Sequence, residues 1–83
     1  MNKYNPRYPN CLLVDDLREN LVALSSLLAD ENVNVFTATS GVEALELLLK
    51  HEFALALLDV QMPDMDGFEL AEVMRGTDRT RAI

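Results

Sequence analysis

Three aspartates directly follow short apolar runs, and this placement makes them candidates for chemistry. Asp15 and Asp16 come after the run at residues 11–14, and Asp59 comes after the run at residues 53–58. Carboxylates held close together repel one another, and a hard divalent cation such as Mg²⁺ offsets that repulsion through oxygen ligands. A carboxylate beside such a cation can also attack phosphorus and form an acyl phosphate. Aspartate is equally common at turns and helix starts, so a purely local capping role is the alternative.

Whether these acids meet depends on the elements that carry them. Two apolar runs of strand length, at residues 11–14 and 53–58, and one alternating segment, at residues 33–38, are predicted to be strands. Three amphipathic segments are predicted to be helices, at residues 17–30, 41–50 and 68–75. Strands that alternate with helices predict a parallel α/β sheet whose strands all end at one edge. If the chain begins in the middle of the sheet, the first and third strands are neighbours and the three acids converge.

Composition limits the classes of protein to which the chain can belong. It has 83 residues, 49% of them hydrophobic, so one small domain with a modest core is expected. The formal net charge of −7 argues against a nucleic-acid surface. Cys11 is the single cysteine, which excludes an intrachain disulfide and favours a reducing, cytoplasmic compartment. No apolar run reaches the length of a membrane helix, so we expect no membrane contact.

The segments around the acids resemble a known family. The sequence LLVDD at residues 12–16, LLDVQMP at 57–63 and MDG at 65–67 are together similar to the receiver domain of bacterial two-component response regulators. The resemblance covers residues 11–83, and residues 1–10 are expected to be an irregular leader. It implies a flavodoxin-like, doubly wound parallel sheet in which the three strands present here have the order 2-1-3.

The resemblance also implies roles for individual residues. Asp59 would accept the phosphoryl group, and Mg²⁺ would be bound directly by Asp16, Asp59 and the backbone carbonyl of Gln61. Asp15 would hold the ion through water. Met62, Pro63 and Gly67 would shape the loop beside the acceptor, although an ordinary turn before a helix also explains them. The donor would be a phosphohistidine on a sensor histidine kinase or a histidine phosphotransfer protein. Such a module switches an output and is not an enzyme with conventional turnover.

The resemblance leaves other readings open. Members of the family continue for about two further strand–helix units, which carry a Thr or Ser and a Lys, so the chain is expected to be part of a receiver. The third strand would then have an apolar outer edge that is able to self-associate. A pseudo-receiver that only binds proteins, and the receiver part of a hybrid histidine kinase, are the alternatives. An aspartyl phosphatase is disfavoured, because Gln61 stands where such enzymes commonly have a general acid.

Overall fold

Strands and helices alternate along the chain as the sequence predicts. The computed structural model describes residues 3–63 and 65–83. The elements are β1 (Asn10–Val14), α1 (Arg18–Leu28), β2 (Asn34–Ala38), α2 (Gly41–Lys50), β3 (Leu55–Leu58) and α3 (Gly67–Arg75). Their ends differ from the predicted ends by at most two residues.

β1 is the central strand of a three-stranded parallel sheet with the order β2-β1-β3. Val14 at the end of β1 pairs with Ala38 of β2 and Leu58 of β3, so the three strands end level with one another. Backbone hydrogen bonds continue just past these ends, from Asp15 N to Ala38 O (3.1 Å) and from Asp59 N to Val14 O (2.9 Å). The predicted strand order is confirmed, and it places both acid-bearing turns at the same edge.

Helices cover both faces of the sheet, which is why β1 is a continuous apolar run and not an alternating one. Cys11 and Leu13 face α1 and pack against Leu21. Leu12 and Val14 face the opposite side, where they join a larger cluster formed with buried residues of α2 and α3. Burial of all four side chains fixes the direction of β1 and therefore the position of the turn that follows it.

A capping box begins α2, with one difference from the standard motif. Ser40 Oγ accepts a hydrogen bond from Glu43 N (3.1 Å), as in the standard motif. The Glu43 carboxylate accepts from Thr39 N (2.9 Å), one residue earlier than the motif predicts. At the start of α3, Asp66 Oδ1 accepts from Glu69 N (2.9 Å). Both helices therefore begin at a side chain that satisfies a free backbone N–H group.

Residues 3–9, the described part of the leader before β1, are irregular and are fastened to the sheet by Asn34. The Asn34 side chain accepts a hydrogen bond from Asn5 N (2.8 Å) and donates to Asn5 O (2.8 Å), Tyr8 O (3.1 Å) and Asn10 Oδ1 (3.0 Å). The backbone N–H of Asn34 donates to Pro9 O (2.9 Å). Asn34 is only 5% exposed, so this network replaces water around a buried amide.

The outer edge of β3 has no strand partner among the described residues. Leu55 and Leu57 point to the α1 side of the sheet, in register with Cys11 and Leu13, yet both are exposed. The segment after α3 forms turns, and Arg79 donates from Nε to Leu48 O near the end of α2 (3.1 Å). None of the described helices is long and apolar enough to cross a membrane.

Candidate functional site

The turns after β1 and β3 bring the three predicted acids together. One carboxylate oxygen from each of Asp15, Asp16 and Asp59 lies within 4.8 Å of the corresponding oxygens of the other two. Asp15 and Asp59 are half-buried and Asp16 is exposed. The convergence follows from the strand order, because β1 and β3 are hydrogen-bonded neighbours that end level.

Asp15 is held by the start of α1. Its Oδ1 accepts a hydrogen bond from Leu17 N (3.0 Å), and its Oδ2 accepts from Asn20 Nδ2 (3.0 Å). Leu17 occupies the N-cap position of α1 and offers no side-chain cap. The Asp15 carboxylate therefore binds a donor at each oxygen, and it lies near the N-terminus of a helix, where negative charge is favoured.

Asp16 and Asp59 have fewer partners than Asp15. Asp59 Oδ1 accepts a hydrogen bond from Gln61 N (3.1 Å), and no donor of the described residues bonds to its Oδ2. Over residues 3–63 and 65–83, no hydrogen bond to the Asp16 carboxylate is found. Within the same residues, none of the three acids forms an ion pair with a Lys or Arg side chain. The site thus contains three negative groups and several unused oxygen lone pairs.

The loop between β3 and α3 lies directly against Asp59. Gly67, the first residue of α3, leaves no space for a side chain, because a Cβ atom there would overlap the Asp59 backbone carbonyl. Met62 is buried in the core, and the Met65 side chain contacts Gly41 at the start of α2. The prediction that Gly67 shapes the loop beside the acceptor thus has a physical basis, the close approach of two backbone segments. Asp64 lies outside the described residues.

Asn20 donates a hydrogen bond to Asp15 at the site, and the sequence alone did not single it out. It was part of a polar helix face, and nothing in its spacing distinguishes it from its neighbours. The signal for it is its position five residues after Asp15, in the first turn of α1, where a short amide can reach back to the preceding turn.

A parallel α/β sheet with clustered carboxylates beyond the ends of neighbouring strands defines a class of ligand-binding α/β domain. Residues 11–83 match the response regulator receiver domain, and the chain belongs to this family. It is a phospho-acceptor receiver module of the kind found in response regulators and in histidine kinases.

The relatives at the sequence level include both kinds of protein. The chain is 39% identical to the heme response regulator HssR of Staphylococcus epidermidis over 66 residues, which are 80% of this chain and 30% of that protein. It is 37% identical to the sensor protein GacS of Pseudomonas syringae pv. syringae over 75 residues, which are 90% of this chain and 8% of that protein. The chain therefore spans less than a third of these relatives.

Solved structures show the same fold. The N-terminal domain of a response regulator receiver protein from Methanoculleus marisnigri superposes with a TM-score of 0.85 at 35% identity, over 90% of this chain and 61% of that one. The response regulator TrrA of Thermotoga maritima, solved in complex with Mg²⁺-BeF, gives a TM-score of 0.80 at 31% identity, over 84% of this chain and 61% of that one. The flavodoxin-like architecture is confirmed for the three strand–helix units present here.

Proposed function

We propose that this receiver module accepts a phosphoryl group on Asp59 in a reaction that requires Mg²⁺. The observation that carries the proposal is the convergence of Asp15, Asp16 and Asp59 within 4.8 Å, with no Lys or Arg of the described residues paired to them. Such a cluster is strained by like-charge repulsion unless a cation joins it. In the alternative, a pseudo-receiver that only binds proteins, Asp15 and Asp59 would serve only their local hydrogen bonds, and the convergence of all three acids would have no role.

The donor atoms fit Mg²⁺, which prefers oxygen ligands and is commonly bound by one or two carboxylates together with phosphate oxygens and water. We assign direct binding to Asp16, Asp59 and the backbone carbonyl of Gln61. Asp15 is assigned contact through water, because both of its oxygens already accept hydrogen bonds from α1. When bound, the ion neutralises negative charge on the phosphoryl oxygens during transfer.

In the proposed transfer, a carboxylate oxygen of Asp59 attacks phosphorus and forms an acyl phosphate. The bond between phosphorus and the donor imidazole nitrogen breaks, and its electron pair stays on that nitrogen. Gln61 N donates to Asp59 Oδ1, which orients the carboxylate and leaves Oδ2 as the attacking atom. The added phosphoryl charge beside Asp15 and Asp16 would then switch an output of the protein.

The donor we propose is a phosphohistidine of a sensor histidine kinase or of a histidine phosphotransfer protein. Relatives that are histidine kinases and relatives that are response regulators both support a phosphorelay, and the receiver of a hybrid kinase is the second candidate context. The acidic net charge supports the absence of direct nucleic-acid contact by this segment. The single free thiol, Cys11, supports a cytoplasmic location.

The outer edge of β3 is a candidate surface for self-association. Its backbone groups have no partner strand among the described residues, and Leu55 and Leu57 are exposed beside them. An edge of this kind can pair with a second copy of the chain through main-chain hydrogen bonds.

A mass measurement tests the acceptor assignment. The protein is incubated with acetyl phosphate and Mg²⁺, and we expect a gain of about 80 Da, one phosphoryl group per chain. Asp59→Asn keeps the shape of the side chain and removes the nucleophilic carboxylate, so the gain should disappear. Asp30→Asn, at an exposed position after α1, is the matched control and should be phosphorylated normally. A gain that persists in Asp59→Asn would contradict the assignment.

A further inference from the structure

Asn20 is the one uncharged side chain of the described residues that donates a hydrogen bond to the acidic cluster. We propose that Asn20 is a positioning residue for the metal site: its amide holds Asp15 in the orientation that serves the cation through water. This inference rests on the proposed function, because it concerns the same Mg²⁺ site. Asn20 is not one of the three aspartates, and its role would be to orient Asp15.

Each of the two carboxylate oxygens of Asp15 accepts a hydrogen bond at the start of α1. Leu17 N binds Asp15 Oδ1 and Asn20 Nδ2 binds Asp15 Oδ2, each at 3.0 Å. An ionised carboxylate only accepts hydrogen bonds, so the amide nitrogen of Asn20, and not its oxygen, faces it. Because both donors belong to the first turn of α1, they are fixed relative to each other and restrain rotation of Asp15.

The chemistry of the amide suits this task better than a charged group would. A Lys or Arg at position 20 would also bind Asp15, but its positive charge would occupy the place of the cation. The Asn20 amide satisfies one oxygen of Asp15 and adds no charge, so the cluster of three acids keeps its full attraction for Mg²⁺. Partners that orient the groups around a bound metal are known to affect its affinity.

A merely structural role for Asn20 makes a different prediction. Asparagine has a lower helix propensity than alanine, so Asn20→Ala should leave α1 formed and the fold intact. If Asn20 served only α1, its replacement would leave Mg²⁺ affinity unchanged, whatever its effect on the melting temperature. If it positions Asp15, the replacement lowers Mg²⁺ affinity in a metal-free protein that remains folded.

Isothermal titration of the unphosphorylated protein with Mg²⁺ tests the proposal. We expect Asn20→Ala to weaken binding by about tenfold, the lower end of the range for residues that orient metal ligands. In the Asp15→Ala background the same substitution should have no further effect, because Asn20 acts through Asp15. Asn32→Ala, which removes an exposed asparagine from the loop after α1, is the control and should bind as the unchanged protein does.

Phosphorylation by acetyl phosphate supplies a second readout. The Mg²⁺ concentration for half-maximal rate should rise by the same factor in Asn20→Ala, and the rate at saturating Mg²⁺ should be unchanged. Wild-type Mg²⁺ affinity in Asn20→Ala, or an equal further loss in the Asp15→Ala background, would overturn the inference alone. Failure of the unchanged protein to bind Mg²⁺, or unaltered binding in Asp16→Ala, would overturn the proposed function instead.

Discussion

Gly67, the first residue of α3, lies against the backbone carbonyl of Asp59, so that two chain segments meet where no side chain fits. A Cβ atom at Gly67 would lie less than 3.0 Å from the carbonyl oxygen and carbon of Asp59, a separation that real Cβ contacts almost never have. Both of these Asp59 atoms belong to the backbone. The neighbouring atoms cannot rotate away as a flexible side chain could. The close approach therefore ties the position of α3 to the position of Asp59.

Gly67→Ala is expected to lower the free energy of unfolding by about 1–3 kcal/mol, because the added methyl group forces the backbone apart. It should also slow phosphorylation, since the displaced segment carries Asp59. Urea denaturation and the acetyl phosphate assay measure the two effects. Gly76→Ala is the matched control: its Cβ would be 3.5 Å from the nearest atom, and its αR backbone suits alanine. That control should be neutral or more stable by about 0.4–1 kcal/mol.

The sequence predicts the parallel sheet and the two acid-bearing turns for a physical reason. The run from Cys11 to Val14 is apolar on both faces, which predicts a strand covered by helices on both sides of the sheet. The alternation of strands and helices places the ends of all strands at one edge. The central position of β1 is implied by the resemblance to receiver domains, and it makes Asp15 and Asp59 follow neighbouring strands.

Other features depend on side-chain directions that no pattern encodes. Phe53 is buried but lies before β3, which begins at Leu55, because an apolar residue predicts burial and not strand pairing. The hydrogen bonds of Asn34 reach residues up to 29 positions away in the chain, so only the folded chain shows them. Asn20 is likewise one of several polar residues on α1 until the turn at Asp15 is formed.

Asp15 and Asp16 should contribute unequally to Mg²⁺ affinity although they are adjacent. Asp15 has both oxygens engaged by α1, whereas the Asp16 carboxylate has no hydrogen bond among the described residues and can bind the ion directly. Asp15→Ala is expected to weaken binding by about tenfold, the lower end of the range for groups that act on a metal site indirectly. Asp16→Ala removes a direct ligand of the proposed site, so its loss of affinity should be larger. Isothermal titration measures both constants; equal losses would refute the difference between direct and water-mediated contact.

Removal of Asn34 should detach the leader from the sheet. Asn34→Ala deletes four partly buried hydrogen bonds to the leader and to β1. We expect a loss of about 1–3 kcal/mol in the free energy of unfolding, because each such bond contributes about 0.5–1.5 kcal/mol and the contributions are not fully additive. Urea denaturation gives the stability, and limited proteolysis reports cleavage within residues 3–9.

Two further variants make the Asn34 experiment specific. Asn34→Asp keeps the acceptor for Asn5 N but places a carboxylate against the oxygens of Tyr8 and Asn10, so it should be at least as destabilising as Asn34→Ala. Asn32→Ala, in the exposed loop just before β2, should leave both readouts unchanged. If the leader of Asn34→Ala resists proteolysis as well as the leader of the unchanged protein does, the side-chain hydrogen bonds of Asn34 are not needed to hold it.

Cys11 should behave as an unreactive core residue. It is 3% exposed, and burial raises the pKa of its thiol above the ordinary value of 9.0. The native protein should therefore react with a thiol reagent far more slowly than the unfolded protein, because the thiolate is the reactive form. Since the raised pKa belongs to the folded state, the contribution of Cys11 to stability is present below pH 9 and is lost as the pH rises above it. Cys11→Ala should remove that dependence; rapid labelling of the native protein would contradict it.

Leu57 provides the test of the β3 edge. It is 40% exposed beside unpaired backbone groups, and in an antiparallel pairing of two copies it would face the corresponding residues of the partner strand. Sedimentation equilibrium over a range of concentrations should detect a dimer of the unchanged protein. A charge at an edge strand opposes such pairing, so Leu57→Lys should abolish this dimer. Leu49→Lys is the matched control, because Leu49 is more exposed, at 76%, but lies on α2 away from the edge. A dimer that survives in Leu57→Lys would place self-association on another surface. An unchanged protein that stays monomeric at all concentrations would exclude self-association through this edge.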